Sequence, residues 1–500
     1  MNTSWEERPS EDATGNLIFQ SLASLLQLAP NSKYGDGHSL MRASIPANTH
    51  LYHGRTVNVP PTRDWIALDP EHSGMFASGP NGTLFTFLTT RDLRLVYFDG
   101  SSGNKFGGAV DTQDVLFFGE IEFDPHDDWY GELARFVKMC ESAERYGIDG
   151  VVRMQYTFEI LLCDIPTSGL ELVHVAPYVA NDGIPAANPD DRTTLSSRTH
   201  PDSALAHMLP QPTGQVPIPR MPMVPPVGWK GSLPSTFGEG AHIGSWHNHG
   251  EARVRVDPST MVSFFDPALA SLVAARRGLE RKAFRLKGIS TADVMRVQGD
   301  VAEMMARTRD GGQGSGVDWQ GVARVVQERY GDRLPYMQYL LHQPYSNASA
   351  QAAAVRRALM VSLLPYIRRD HIDTPQWYAQ MAVDCATRHV AHLPVNRFTK
   401  QEHLLYNATR EVLHEICRVH AMAWRDLFDV EEQDANVAER VLAKWKPEFD
   451  ALIEWLDWPA WMKCEPACRP DQFCRWPQKA WLHSDSNPDP HCASMSIEDL

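Results

Sequence analysis

Along the first third of the chain, apolar residues come in short runs of strand length; along the last half they recur three and four positions apart. LYHG (51–54), LFTFLTT (84–90), LRLVYF (93–98) and VLFFGEIEF (115–123) are rich in β-branched and aromatic residues and are bounded by Gly, Asp and Pro, which predicts strands. VVRMQYTFEILLCDI (151–165) reads as one core strand and LELVHVAPY (170–178) as a further one. Helical spacing marks LIFQSLASLLQL (17–28), broken by Asn31 and Ser32, and ELARFVKMCESAERYG (132–147), which stops at Gly147. From residue 259 onward the periodicity predicts helices over 266–286, 290–309, 318–341, 348–369, 400–428 and 436–458, with Ser290 and Asp318 as polar caps. The order predicts an α+β chain. A disordered lead (1–16) precedes an N-terminal mixed sheet domain (17–178), a Pro-rich linker or insertion (179–240), a C-terminal all-helical domain (241–462) and a Cys-containing tail (463–500). Eleven prolines between residues 180 and 240 define the linker.

With 500 residues, 43% of them hydrophobic and 22% charged, the chain has enough apolar material for more than one unit. No stretch reaches the roughly 18 consecutive apolar residues that a membrane span needs, and MNTSWEERPSEDATG is too acidic for a secretion signal, so a cytoplasmic address is expected. On that footing Cys140, Cys163, Cys385 and Cys417 are expected to be reduced core thiols. A net charge of −15 argues against nonspecific polyanion binding by the whole molecule, yet leaves room for a local basic face. Arg276, Arg277, Arg281, Lys282, Arg285 and Lys287 form the most basic stretch, read either as a solvated surface or as a phosphate-binding face.

Polar residues at the ends of the predicted strands supply the candidate chemistry. Asp69, Glu71, His72 and Ser73 share one turn in DPEHS, suited to acid-base work or equally to a helix N-terminus, where acids are favoured. The loop YFDGSSGNKFGG brings Asp99 and Lys105 together but lacks the spacing of a phosphate loop. Asp111 and Asp114 follow in VDTQD, as a carboxylate pair able to hold a guanidinium or as turn residues. On an alternating strand Arg153, Gln155, Thr157 and Glu159 point to one face, which implies an ion network or a wet cleft. His247 and His249, beside Trp246, are a weak metal signal, because a zinc site normally has three or four protein ligands. Cys464, Cys468 and Cys474 would need a fourth ligand, for which His483 is nearest, and their spacing departs from paired C-x2-C, so no metal is assigned.

Two family resemblances follow from these words. His53 and Gly54 in LYHGR, with Glu159 late on a strand in YTFEILLC, resemble the ADP-ribosyltransferase and polymerase catalytic domain. There a His-Gly or Arg-Gly pair holds the nicotinamide of NAD and a Glu is catalytic. Over most of the chain YHGR, WIALDPEHS, TTRDLRLVYFDGSS, GGAVDTQD, YGIDGVVRM, FEILLCD, SGVDWQ, ERYGDRL and EWLDWPAWMKCEPAC resemble a large group of fungal proteins. That group is identified here with the fungal arginine-containing cyclodipeptide synthases. Their DDxxE-type acidic element has its nearest counterpart in DDWYGE, where Asp127, Asp128 and Glu132 are one residue further apart.

The second resemblance implies condensation of arginine from arginyl-tRNA with a second aminoacyl group, from another charged tRNA, into a cyclic dipeptide of secondary metabolism. Under it Glu159, Asp99, His53 and Glu71 are the catalytic candidates, Asp69, Ser73, Asp111, Asp114 and Arg153 bind substrate, and the basic stretch from Arg276 to Lys287 holds tRNA. No cofactor is implied, because an aminoacyl ester is already activated and the protein has only to align an amine with it. An ADP-ribosyltransferase-like enzyme and a non-catalytic interaction scaffold are the two other readings.

Overall fold

The computed structural model describes residues 4–74, 76–77, 81–104, 108–121, 128–155, 157–178, 250–310, 314–372, 374, 376–428, 434–475 and 490–494. The linker at 179–240 lies outside them, as do Lys105, Asp127, Trp246, His247, His249 and His483. The chain divides into two units, residues 26–257, 278–312 and 463–500 in one and residues 1–25, 258–277 and 313–462 in the other. Among the described residues no helix is long and apolar enough to cross a membrane.

The first unit is built on a mixed sheet. Its strands are β1 (Ser39–Ile45), β2 (His50–Arg55), β3 (Asp64–Ala67), β4 (Thr83–Thr89), β5 (Leu93–Phe98), β6 (Gly150–Met154), β7 (Phe158–Leu162) and β8 (Leu170–Pro177). With β9 (Arg255–Ser263), of which only residues 255–257 belong to this unit, next to β1, the order is β8-β4-β2-β3-β7-β6-β5-β1-β9. Neighbours from β8 to β6 and the pair β5–β1 run antiparallel, while β5–β6 is parallel. On β4 the expected alternation holds, with Thr83, Phe85, Phe87 and Thr89 buried. Helices α2 (Leu28–Lys33), α3 (Pro70–Gly74), α4 (Asp111–Phe118), α5 (Asp128–Tyr146) and α7 (Thr291–Asp310) complete the unit. α5 ends where expected, with Gly147 at φ +65°.

Three expectations for this unit are corrected. Residues 111–118 form helix α4 where VLFFGEIEF had suggested a strand at 115 onward. A four-residue apolar run has no decisive period, and acids in the first turn, Asp111 and Asp114, favour a helix. Residues 151–165 are a hairpin, β6 and β7, not a single strand; the turn is closed by Gln155 N–H donating to the Thr157 carbonyl at 3.1 Å. Asn31 and Ser32, read as breakers, lie inside α2.

The cysteines give the fourth correction. All eight pair, as Cys140–Cys163, Cys385–Cys417, Cys464–Cys474 and Cys468–Cys492, so the expected free thiols are absent. The sulfurs of Cys464, Cys468 and Cys474 lie within 4.8 Å of one another, as a three-ligand metal group would. Two adjacent disulfides account for that proximity, and a disulfide sulfur is not the thiolate a zinc ion requires.

In the second unit α1 (Gly15–Ala23), α6 (Ala270–Arg276), α8 (Trp319–Tyr330), α9 (Arg333–His342), α10 (Ala348–Leu363), α11 (Trp377–Thr387), α12 (Lys400–Phe428) and α13 (Ala435–Leu456) pack together. α12 is the centre: Val412, Leu413, Ile416, Cys417 and Val419 are buried along it, and α1, α10, α11 and α13 all rest against it. A capping box begins it, since Thr399 Oγ1 accepts from Glu402 N–H at 3.1 Å and Glu402 accepts from Thr399 N–H at 2.8 Å. Asp318 caps α8 as expected, accepting from Gly321 N–H at 2.9 Å. The first helix of the chain, assigned to the sheet domain from sequence, belongs instead to this unit, while α7 belongs to the sheet. The expected helix over 266–286 is only the seven residues of α6 and a short 3-10 turn at Arg281–Ala283, interrupted at Gly278 with φ +72°.

Candidate active site

Adjacent strands β2, β3 and β7 bring the principal residues together. Register sets Tyr52 opposite Ala67 and Ala67 opposite Glu159, so β3 stands between the His53 strand and the Glu159 strand. His53 is fully buried; its Nε2 is 3.6 Å from Asp64 Oδ2, and its ring lies edge-on to Trp65 with centroids 4.9 Å apart. Trp65 also meets Phe76 edge-on at 4.6 Å and His72 of α3, stacked at 5.4 Å and 22°. His72 Nδ1 lies 2.9 Å from Thr157 Oγ1, and its Nε2 is 3.7 Å from Glu159 Oε2, longer than a direct hydrogen bond. Burial holds this imidazole below its ordinary pKa, against the opposing pull of Glu159, so the ring is neutral at neutral pH.

Glu159 is wholly buried and accepts from Arg153 Nε at 2.6 Å. Arg153 also reaches Glu132 on α5, Nη2 to Oε1 at 2.6 Å. Burial disfavours its charged guanidinium, but the two carboxylates outweigh that and raise its pKa. The hairpin places Arg153 directly opposite Glu159 in register, a different route to the pairing expected along one strand. Ser73 Oγ donates to the Tyr52 carbonyl at 2.7 Å and anchors α3 over β2. A Cβ on Gly54 would stand 1.8 Å from the Ser73 carbonyl. The missing side chain at Gly54 therefore admits α3, where the sequence had suggested room for a ligand.

The remaining candidates lie apart from this group. Asp99 is buried in the β5 turn, where Oδ1 accepts from His38 N–H and Ser39 N–H, each at 2.7 Å. Burial pushes its carboxyl up to about 7, despite those backbone donors. Asp69 holds Arg253 at 2.8 Å, Asp111 holds Arg285 at 2.6 and 2.7 Å, and Asp114 holds Arg135 at 2.5 Å. Asp69, Asp111 and Asp114, expected to hold substrate, thus each carry an arginine of the chain itself, as Glu159 does. Glu71, half-buried on α3, joins none of these pairs among the described residues.

No continuous basic helix spans 276–287. Arg276 is buried, donates to the Phe264 carbonyl at 2.9 Å and lies 4.8 Å above the Phe265 ring; burial lowers its pKa to about 10. Arg277 pairs with Asp12, Lys282 with Glu280 and Arg285 with Asp111, while Arg281 lies 4.0 Å over the Tyr34 ring. Of the six, only Lys282 and Lys287 in the sheet unit and Arg277 in the helical unit are exposed. Sequence reasoning passed over Asp64 and Trp65, and it met His72 and Glu132 only in the DPEHS turn and the DDWYGE element, apart from Glu159. The words WIALDPEHS and DDWYGE contained them, but only the pairing of β3 with β7 and the placing of α5 show their use.

Residues 79–191 match the family model described as the YPL277C N-terminal domain, a stretch that includes Arg153 and Glu159 and leaves out His53 and Asp69. The chain is similar to uncharacterized protein YPL277C of Saccharomyces cerevisiae (strain ATCC 204508 / S288c), 27% identical over 219 residues, with 34% of this chain and 45% of that protein covered. To uncharacterized protein YOR389W of the same yeast it is 27% identical over 218 residues, covering 34% of this chain and 35% of that protein. The chain therefore spans less than half the length of these relatives. No solved structure matches.

Proposed function

We propose that the sheet unit is an ADP-ribosyltransferase-like enzyme that takes NAD as substrate. One observation carries this reading: a flat nitrogen heterocycle, the His72 imidazole, is stacked on Trp65 with an edge nitrogen 3.7 Å from Glu159. Nicotinamide riboside needs the same two neighbours, an aromatic face for its ring and a carboxylate for its ribose. His53 and Gly54, which supply the His-Gly word of the resemblance, lie on β2, two strands from Glu159 on β7. Entry of NAD requires α3 to lift, because His53, His72 and Glu159 are all covered.

In the reaction the nicotinamide–ribose C–N bond breaks and its electron pair leaves with nicotinamide. The Glu159 carboxylate stabilises the positive charge that develops on the ribose. An acceptor nucleophile then bonds to the anomeric carbon and gives up its proton. Arg153 keeps Oε1 of Glu159 fixed during this step. Synthesis of a cyclic arginine dipeptide draws less support, since four of its candidate acids, Asp69, Asp111, Asp114 and Glu159, already hold Arg253, Arg285, Arg135 and Arg153. The four disulfides support an oxidising compartment as the setting, in place of the cytoplasm expected from sequence.

The test is incubation of the oxidised full chain with NAD labelled in its adenylate part, followed by analysis of free nicotinamide and of label on protein and nucleic acid. Nicotinamide release is expected, falling by about 100-fold or more in Glu159→Gln, which keeps the bond from Arg153. A wild-type protein that leaves NAD intact, or a Glu159→Gln variant as active as wild type, ends the proposal. Formation of an arginine diketopiperazine from charged tRNA would instead favour the synthase.

A further inference from the structure

A second site lies elsewhere in the sheet unit. Between β1, β5 and β6 on one side and α4, α5 and α7 on the other is a cavity of about 260 Å³. Its walls are apolar: Leu40, Phe98, Phe117, Met139, Val151 and Met305 are representative. The hollow is open to solvent on one side, and a mostly apolar concavity with a few polar groups is the form that small-molecule sites take. None of its lining residues takes part in the contacts between His53 and Glu159.

The mouth is marked by exposed Arg145 and Ala302. Arg145 stands on the last turn of α5 beside Ser142 and Tyr146, three and one positions away, which also line the cavity. Among the described residues no carboxylate lines it and Arg145 is its only charged group, in a chain whose net charge is −15. The polar amide of Gln298 is already engaged, donating to the Leu116 carbonyl at 3.0 Å. An occupant with an apolar body and one anionic end matches both the walls and the mouth.

We propose that this cavity binds a single-chain amphiphile with a carboxylate head, the acyl tail among the apolar walls and the head at Arg145. A cavity of about 150 Å³ holds the six carbons of benzene. On that scale this one takes a chain of roughly ten heavy atoms.

The experiment titrates the oxidised full-length protein with straight-chain carboxylates from hexanoate to dodecanoate, below their micelle concentrations, and with decan-1-ol. Affinity should rise about fourfold per methylene up to roughly ten carbons and then level off. Ala302→Trp, which places an indole at the exposed mouth, should weaken decanoate at least tenfold without lowering the melting temperature. Arg145→Glu should weaken decanoate about tenfold and leave decan-1-ol within about twofold. Affinity indifferent to chain length, or decanoate binding equally well to Ala302→Trp, overturns the site. An equal effect of Arg145→Glu on acid and alcohol overturns the role of the anionic head.

Discussion

Replacing Arg153 by Met tests whether the centre of the sheet unit is a paired ionic network. The substitution keeps much of the side-chain volume and removes the charge, so it leaves Glu159, with no exposure, and Glu132, with 11% exposure of its side chain, facing the same emptied position. Both had bonds of 2.6 Å to the guanidinium. Breaking a buried pair by deleting one partner costs about 3–5 kcal/mol, because the surviving charge stays desolvated and uncompensated. Against a typical stability of about 5–15 kcal/mol that is a large loss. Urea unfolding of the oxidised protein, followed by tryptophan emission, should show it for the sheet unit. The double variant Arg153→Met, Glu159→Leu should recover part of the deficit, since one stranded carboxylate is gone. A single variant less than about 1 kcal/mol below wild type, or a double variant whose loss is the sum of the two singles, would refute the network.

Asp99 gives a pH dependence. Its folded carboxyl, pushed up to about 7 by burial, holds its proton more tightly than the unfolded one at 3.8, so its stabilising contribution is complete below about pH 4 and is lost as pH rises to about 7. Asp99→Asn, which retains an oxygen for the His38 and Ser39 amides, should abolish that decline and be a few kcal/mol more stable than wild type at pH 8, read from unfolding curves across pH. Gly54→Ala sets a Cβ against the Ser73 carbonyl and should cost at least about 3 kcal/mol or prevent folding, measured by soluble yield and melting. Cys385→Ser with Cys417→Ser should lower stability by about 2–4 kcal/mol, and the intact mass of unreduced wild type should be lighter by two hydrogens for each of four disulfides. A mass matching free thiols would contradict the pairing.

Legibility followed the range of the interactions. The strand LFTFLTT and the helix ending at Gly147 are set by local pattern and were readable as such. The hairpin at 155–157 was not, because MQYT contains neither Gly nor Pro; the Asn104 side chain supports the turn from a distant loop, donating to the Gln155 carbonyl at 2.8 Å. Asp111 and Arg285 lie 174 positions apart, so nothing near VDTQD announces that its first acid is already matched. The same holds for Cys140 and Cys163, whose partnership depends on α5 lying against the end of β7. Glu159 stood out as a polar residue on an apolar strand, but its neighbour His72, and Glu132, which shares Arg153 with it, arrive from other elements.

The sheet unit draws its parts from three separated stretches of chain, and α7, which buries Val294, Val297, Met304 and Met305 and rests on β1, α4 and α5, comes from the second of them. During synthesis the strands therefore leave the ribosome well before the helix that shields them. Until it arrives, a greasy surface stands bare to the cell, an invitation to chaperones or to clumping. A clone cut after β8 would make that exposure permanent, so the shortest fragment worth producing for ligand work must extend through α7.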